Sequence, residues 1–336
     1  MKLRHLALVA SLLALSTGAI AQEVRDRVIK FGHLVQPGHP IALGTAKFAE
    51  LVATKSGGKM KVKEYGASVL GSESQQVSAL QGGVQEMFAP ATTSVVSLVK
   101  EFSLIDTPFS FSNARQVDAL LQGSFGKELL NKLPAKGLVG LDYWETGFRN
   151  ITNSRKPVVS PEDVQGLKIR VMGNPLFLES FSSLGTNPVP MAFGELYGAL
   201  ESHALDAQEN PYSIVLTSKF YEVQKYMSVT NHVYTANPML VSKKFWDRLS
   251  KTEQKILRES AQEAGVYHRA LSREAAERDR KALIAKGMQV NDVSPATIAK
   301  MREITKPVAD KFAATYDPAL VQLYRSEMSR IQSTVK

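Results

Sequence analysis

A chain of 336 residues, 44% hydrophobic and 22% charged, has ordinary globular composition and room for two domains, which excludes a disordered, collagenous or coiled-coil fibre. The absence of cysteine removes disulfides, thiolate metal sites, thiol catalysis, iron–sulfur clusters and a lipid-modified N-terminal cysteine. The net charge of +9 is scattered, with no Lys/Arg block and no interleaved aromatic platform, so it serves solubility first, favours anionic ligands through the summed field, and gives no ground for nucleic-acid binding.

The first 21 residues read as a secretory signal. Lys2, Arg4 and His5 form a basic start, Leu6 to Leu15 a short apolar run, and Ala19-Ile20-Ala21 a small-x-small cleavage site before Gln22. The run is too short for a bilayer span, which needs about 20 residues. Cleavage would lower the charge from +9 by the two residues Lys2 and Arg4, to +7. The expected product is exported and, without a cysteine for a lipid tether, free in the periplasm.

Beyond Gln22 short apolar runs alternate with helical patterns. Val28 to His33 predicts a strand, Pro40 to Ser56 a helix stopped by Gly57-Gly58, Met60 to Tyr65 a strand, Glu73 to Leu80 a helix, and Glu86 to Ala89 a short strand. This rhythm predicts α/β units with a parallel sheet. A second block opens with a strand from Leu138 to Trp144. Ser160-Pro161-Glu162-Asp163 is a helix start, Leu167 to Val171 a strand, Pro175 to Leu184 a helix, Asn187 to Pro190 extended, Phe193 to Leu200 a helix, and Ala204 to Gln208 a buried strand. The two blocks join near residues 145–150 and again near 231–238. The capping box Ser250-Lys251-Thr252-Glu253 opens a helix to Lys286, about 54 Å long if unbroken, with Gly265 as its one candidate break. A strand from Met288 to Asp292 and a helix led by Ser294-Pro295 close the chain.

No H-E-x-x-H, Gly-Lys-Ser/Thr phosphate loop, G-x-G-x-x-G or G-x-S-x-G is present. After Gln22 the histidines are His33, His39, His203, His232 and His268, none at metal-ligand spacing on one helical turn, so neither metal nor cofactor is expected. Polar residues instead follow the predicted strands, where α/β folds place ligand crevices. They are His33, Glu73, Thr93, Arg149, Asn174 and Asn210, with Arg170 inside a strand. In Gly166-Leu167-Lys168-Ile169-Arg170-Val171-Met172 a guanidinium is costly unless it meets an anion or a satisfied polar network. An anion there is either an internal Asp or Glu, or a ligand carboxylate gripped through two parallel N–H···O bonds. Arg149 is either a surface arginine or a second ligand contact. Asn210 is a helix cap or a polar ligand contact, and Phe193 a core residue or a wall against the ligand's carbon skeleton.

An ordered set of segments resembles one family. They are Ile29 to His33, Leu70-Gly71-Ser72-Glu73, Gly147 to Asn153, Gly166 to Val171, Pro190 to Leu200, and Asp206-Ala207-Gln208-Glu209-Asn210-Pro211. The chain is similar to solute-binding proteins of tripartite ATP-independent periplasmic (TRAP) transporters, in the dicarboxylate-binding-protein (DctP) family. The resemblance implies an α/β, two-lobed periplasmic binding protein fold with a hinge and a long helix spanning both lobes. It implies a first lobe of residues 22–147 plus 236–275 and a second of 148–235 plus 276–336. Arg170 would hold the carboxylate of an organic acid, Arg149 and Asn210 would complete the clamp, and Phe193 would line the pocket. His33, Glu73, Thr93 and Asn174 are expected nearby, although the family's first-lobe residues vary. Ala207 stands where the family has glycine, which leaves Asn210 in place. The expected partners are the small organic-acid anion and the small and large membrane subunits of a TRAP transporter, with the protein itself a monomer and not an enzyme. The alternatives are a periplasmic lyase or hydrolase for acidic sugars, using Glu73 or His33 as base, and the binding protein of an ATP-driven importer.

Overall fold

The computed structural model describes residues 23–335, so the expected signal at 1–21 lies outside the described residues. The first unit runs β1 (Arg27–Gly32), α1 (Pro40–Lys55), β2 (Met60–Tyr65), α2 (Glu73–Gly82) and β3 (Met87–Phe88). β1 pairs in parallel with both β2 and β3, as the strand–helix rhythm predicts. His39 caps α1, its Nδ1 accepting from the Ile41 amide at 3.1 Å, and Pro40 stands at the first helical position. Two helices that the sequence pattern did not flag follow, α3 (Ala114–Leu121) and α4 (Ser124–Lys132), the first capped by the Asn113 side chain.

β4 (Leu138–Asn153) corrects the expected strand, which stopped at Trp144. Gly147, at φ 101°, makes a bulge rather than a turn, and the strand continues. Then come β5 (Lys168–Val171), α5 (Pro175–Ser183), β6 (Asn187–Pro190), α6 (Leu196–Glu201), β7 (Ala207–Asn210), α7 (Tyr212–Thr217) and β8 (Tyr226–Ser242). β4 and β8 pair antiparallel over nearly their whole length, with register shifts between Gly140 and Tyr143, Glu145 and Gly147, and Arg149 and Ile151. The two segments expected to join the blocks are therefore the middles of these two strands. One sheet results, ordered β2-β1-β3-β8-β4-β7-β5-β6, with its first three strands in one lobe, its last three in the other, and β4 and β8 running through both.

After α8 (Lys243–Trp246) comes α9 (Lys251–Ala285), 35 residues and about 52 Å without a break. The Ser250–Glu253 capping box starts it, and the Glu253 carboxylate also pairs with Arg27 at 3.1 Å. Gly265 does not interrupt the helix. A Cβ there would lie 2.1 Å from Asp142 Oδ2, so the glycine lets α9 press onto β4. α9 packs on α1, β4 and α7, and so touches both lobes. β9 (Gln289–Asp292) joins β8 in parallel. The chain closes with two helices instead of one, α10 (Pro295–Ala313) and α11 (Pro318–Thr334), because Asp317 caps a new helix with Pro318 at its first position. α11 packs on α3 and α4, and Asp317 pairs with Lys132 at 2.9 Å. The final helix thus packs on helices that precede β4 in the chain.

Candidate functional site

Between the lobes lie two connected chambers. The outer one has about 740 Å³ and the inner about 60 Å³, and both are lined by Glu73, Arg170 and Met172. Residues of both lobes line the inner chamber, Leu34, Val35 and Ile41 from one and Phe193, Asn210 and Ile214 from the other.

Arg170 is placed by β5. Ile169 and Val171 point into the apolar core around Phe177 and Phe181, which turns the residue between them toward the chambers. The side chain is 2% exposed, and Nε and Nη2 both donate to the Met191 carbonyl, at 3.0 and 2.7 Å. Among the described residues it has no ion pair, so the internal-acid alternative is not realised. Burial without a neutralising partner pulls its pKa down to about 10, against the opposing pull of Glu209 and Glu73.

Arg149 is built differently. β4 pairs with β7 so that Ile151 stands opposite Glu209. The guanidinium grips the Glu209 carboxylate with two nitrogens, Nη2 to Oε1 at 2.8 Å and Nε to Oε2. Nη2 also donates to the Glu209 carbonyl, and the other bonds go to Thr235 Oγ1 and Asn210 Oδ1, each at 3.1 Å. His232 Nε2 lies 3.0 Å from the same carboxylate. Burial alone would raise the Glu209 pKa, but Arg149 and His232 hold it at about 2. Arg149 is therefore neither a surface residue nor a spare charge, since an internal acid neutralises it while it lines the inner chamber.

Asn210 also lines the inner chamber. It accepts from Arg149 and donates to Gln208 Oε1 at 2.5 Å, and it does not cap α7, which starts after Pro211. Phe193 lines the same chamber and packs on the Phe220 ring at 6.0 Å. Thr93 lines the outer chamber and donates across the gap to Met172 Sδ at 3.4 Å. Glu73 is the first residue of α2, half-buried, with no ion pair or side-chain hydrogen bond among the described residues.

Asn174 borders the outer chamber, where Oδ1 caps α5 through the Leu176 amide at 2.9 Å and one N–H of Nδ2 donates to Asp106 Oδ2 at 3.1 Å. One expectation needs correction. His33 lines neither chamber. Its ring turns against Gly66, and Nε2 meets Glu64 Oε1 at 2.8 Å, because the loop after β1 folds back onto β2. Other lining residues escaped the sequence reading. Thr146 and Asn237, hydrogen-bonded to each other at 2.7 Å, sit with Thr235 on the middles of β4 and β8, where no strand was predicted. Among the described residues no three His, Asp or Glu side chains converge as a metal would need.

The arrangement can bind an anion but offers no evident reaction. The family described as bacterial extracellular solute-binding protein, family 7 (DctP), matches residues 31–315. The chain is 35% identical over 303 residues to the C4-dicarboxylate-binding periplasmic protein DctP of Rhodobacter capsulatus, covering 90% of each. It superposes with a TM-score of 0.90, at 40% identity, on the sugar acid binding protein of Advenella mimigardefordensis in complex with galactonate, covering 92% of this chain and 99% of that one. A TRAP periplasmic solute binding protein from Ochrobactrum anthropi gives a TM-score of 0.83 at 42% identity, covering 93% and 97%.

Proposed function

From the premise that the chain belongs to the bacterial extracellular solute-binding protein family 7, a family of binding proteins and not of enzymes, we propose that it captures an organic-acid anion between its lobes and delivers it to a TRAP transporter. The observation that carries this reading is Arg170, a buried cation without a protein carboxylate, on the wall shared by both chambers. A ligand carboxylate supplies the missing charge. Arg149 and Asn210, fixed by Glu209 and Gln208, offer a polar floor, and Phe193 an apolar side.

The ligand docks on the second lobe and draws the first onto it. It can shift the open–closed balance only by its differential affinity for the closed form. The lobes so defined are residues 22–147 with 236–275 and α11, and 148–235 with 276–313. The closed molecule, exported to the periplasm and acting as a monomer, then docks on the small and large membrane subunits. The ligand named for the Advenella relative makes a sugar acid the first candidate, and the Rhodobacter relative makes a C4-dicarboxylate the second.

Thermal unfolding of the purified protein with a panel of organic acids tests capture. A ligand at 100 times its Kd adds about 2.7 kcal/mol of stability, and Arg170→Ala is expected to abolish that gain. Unchanged ligand affinity in this variant refutes the reading. Uptake of the captured acid into vesicles containing the two membrane subunits, only when the binding protein is present, tests delivery.

A further inference from the structure

We infer that Glu73 makes the cleft selective for monocarboxylic polyhydroxy acids and against dicarboxylates; the inference rests on Arg170 being the carboxylate holder.

Four charged residues stand in the two linings, and two of them offer little to a ligand. Arg149 is neutralised by Glu209. Lys100 is exposed at the outer rim, where its ammonium donates to the Thr315 carbonyl and solvent screens it. That leaves Arg170 and Glu73. Both border both chambers, one from each lobe, and neither has a carboxylate or cation partner among the described residues. The cleft therefore presents one positive and one negative charge without an ion-pair partner, each within electrostatic reach of the other.

A monoanion with hydroxyls along its chain matches this pair. Its carboxylate meets Arg170, and its hydroxyls donate to the Glu73 carboxylate, an acceptor-only group when ionised. The first turn of α2 suits a negative side chain, so the acid sits where the helix end supports it. The serine hydroxyls of Ser72, Ser74, Ser94 and Ser97 on the outer lining can both donate and accept, as a polyol requires. A dicarboxylate anchored at Arg170 brings its second negative charge into a closed space that holds Glu73. Like charges juxtaposed at a desolvated interface are strongly unfavourable.

Calorimetry with the full mature chain, using galactonate and succinate against wild type, Glu73→Gln and Arg170→Ala, tests the inference. Glutamine keeps the shape and removes the charge. Wild type is expected to prefer galactonate, and Glu73→Gln to move the galactonate-to-succinate affinity ratio toward succinate by about tenfold or more, the scale of a lost like-charge contact. An unchanged ratio, a wild type that prefers succinate, or a Glu73→Gln protein that loses both acids overturns the role of Glu73. If Arg170→Ala still loses both ligands in those cases, the capture reading stands and only the selectivity account falls. If Arg170→Ala binds as wild type does, the capture reading itself is what failed.

Discussion

The floor of the cleft around Arg149 and its wall around Arg170 each bury a guanidinium to 2% exposure, yet they solve the charge problem in opposite ways. On the floor the cation is surrounded by Glu209, Asn210 and Thr235, and that acid is shared with His232. On the wall the cation meets one backbone carbonyl, that of Met191. A buried pair completed within the chain is architecture. A buried charge left incomplete by the chain is open to completion by something that arrives. The difference is what makes Arg170 the proposed holder of a ligand carboxylate and Arg149 part of a pre-formed floor, even though both lie in segments resembling the same family.

The largest effect expected to test this contrast is on the floor. Glu209→Ala strands Arg149 without its acid and should cost about 3–5 kcal/mol of folding stability, measured by urea unfolding. Arg170→Ala should instead leave stability nearly unchanged and weaken organic-acid binding by about 2–5 kcal/mol in calorimetry. If the two variants lose stability equally, the contrast is broken.

The pH dependence sharpens it further. Glu209, held at about 2 against an ordinary 4.5, contributes stability that is present above pH 4.5 and lost as pH falls through about 2. Asp106 behaves oppositely. Burial lifts it to about 7 from an ordinary 3.8, against the hydrogen bonds of Thr92 and Asn174 and the pull of Arg149. Its contribution is present below pH 3.8 and is lost as pH rises through about 7. Thermal melts across pH 4 to 8 should show that decline in wild type and its flattening in Asp106→Asn. The smallest effect concerns the bond between His39 Nε2 and Ser213 Oγ at 3.0 Å, which ties the cap of α1 to α7. Ser213→Ala should weaken ligand binding by about 1 kcal/mol, read by calorimetry, without a change at the chambers themselves.

Arg170 was legible in the sequence because an arginine between Ile169 and Val171 in a strand conflicts with its neighbours, and the conflict needs an anion or a polar network to resolve it. Glu73 and Thr93 were legible as residues just beyond strands. The partner of Arg149 was not, since Glu209 lies 60 residues away and only the β4–β7 register brings it in. β8 was read as a join because its 17 residues mix Asn, His, Thr and Pro with apolar residues instead of alternating cleanly, and it is buried along nearly all its length by neighbours no local pattern reveals. His33 misled for the converse reason. Its place after a strand was read correctly, but the return of the loop onto Gly66 and Glu64 decides where the ring points.

The unbroken α9 limits how such a molecule can open. A rod 35 residues long, whose glycine at position 265 lies against the Asp142 side chain of β4, resists folding in half. The candidate places to absorb travel of the two lobes are where β4 and β8 fall out of step, at the three register shifts between Gly140 and Ile151. The stiffness of this molecule resides in its spine, and the candidate compliance in the irregular ladder of its two long strands.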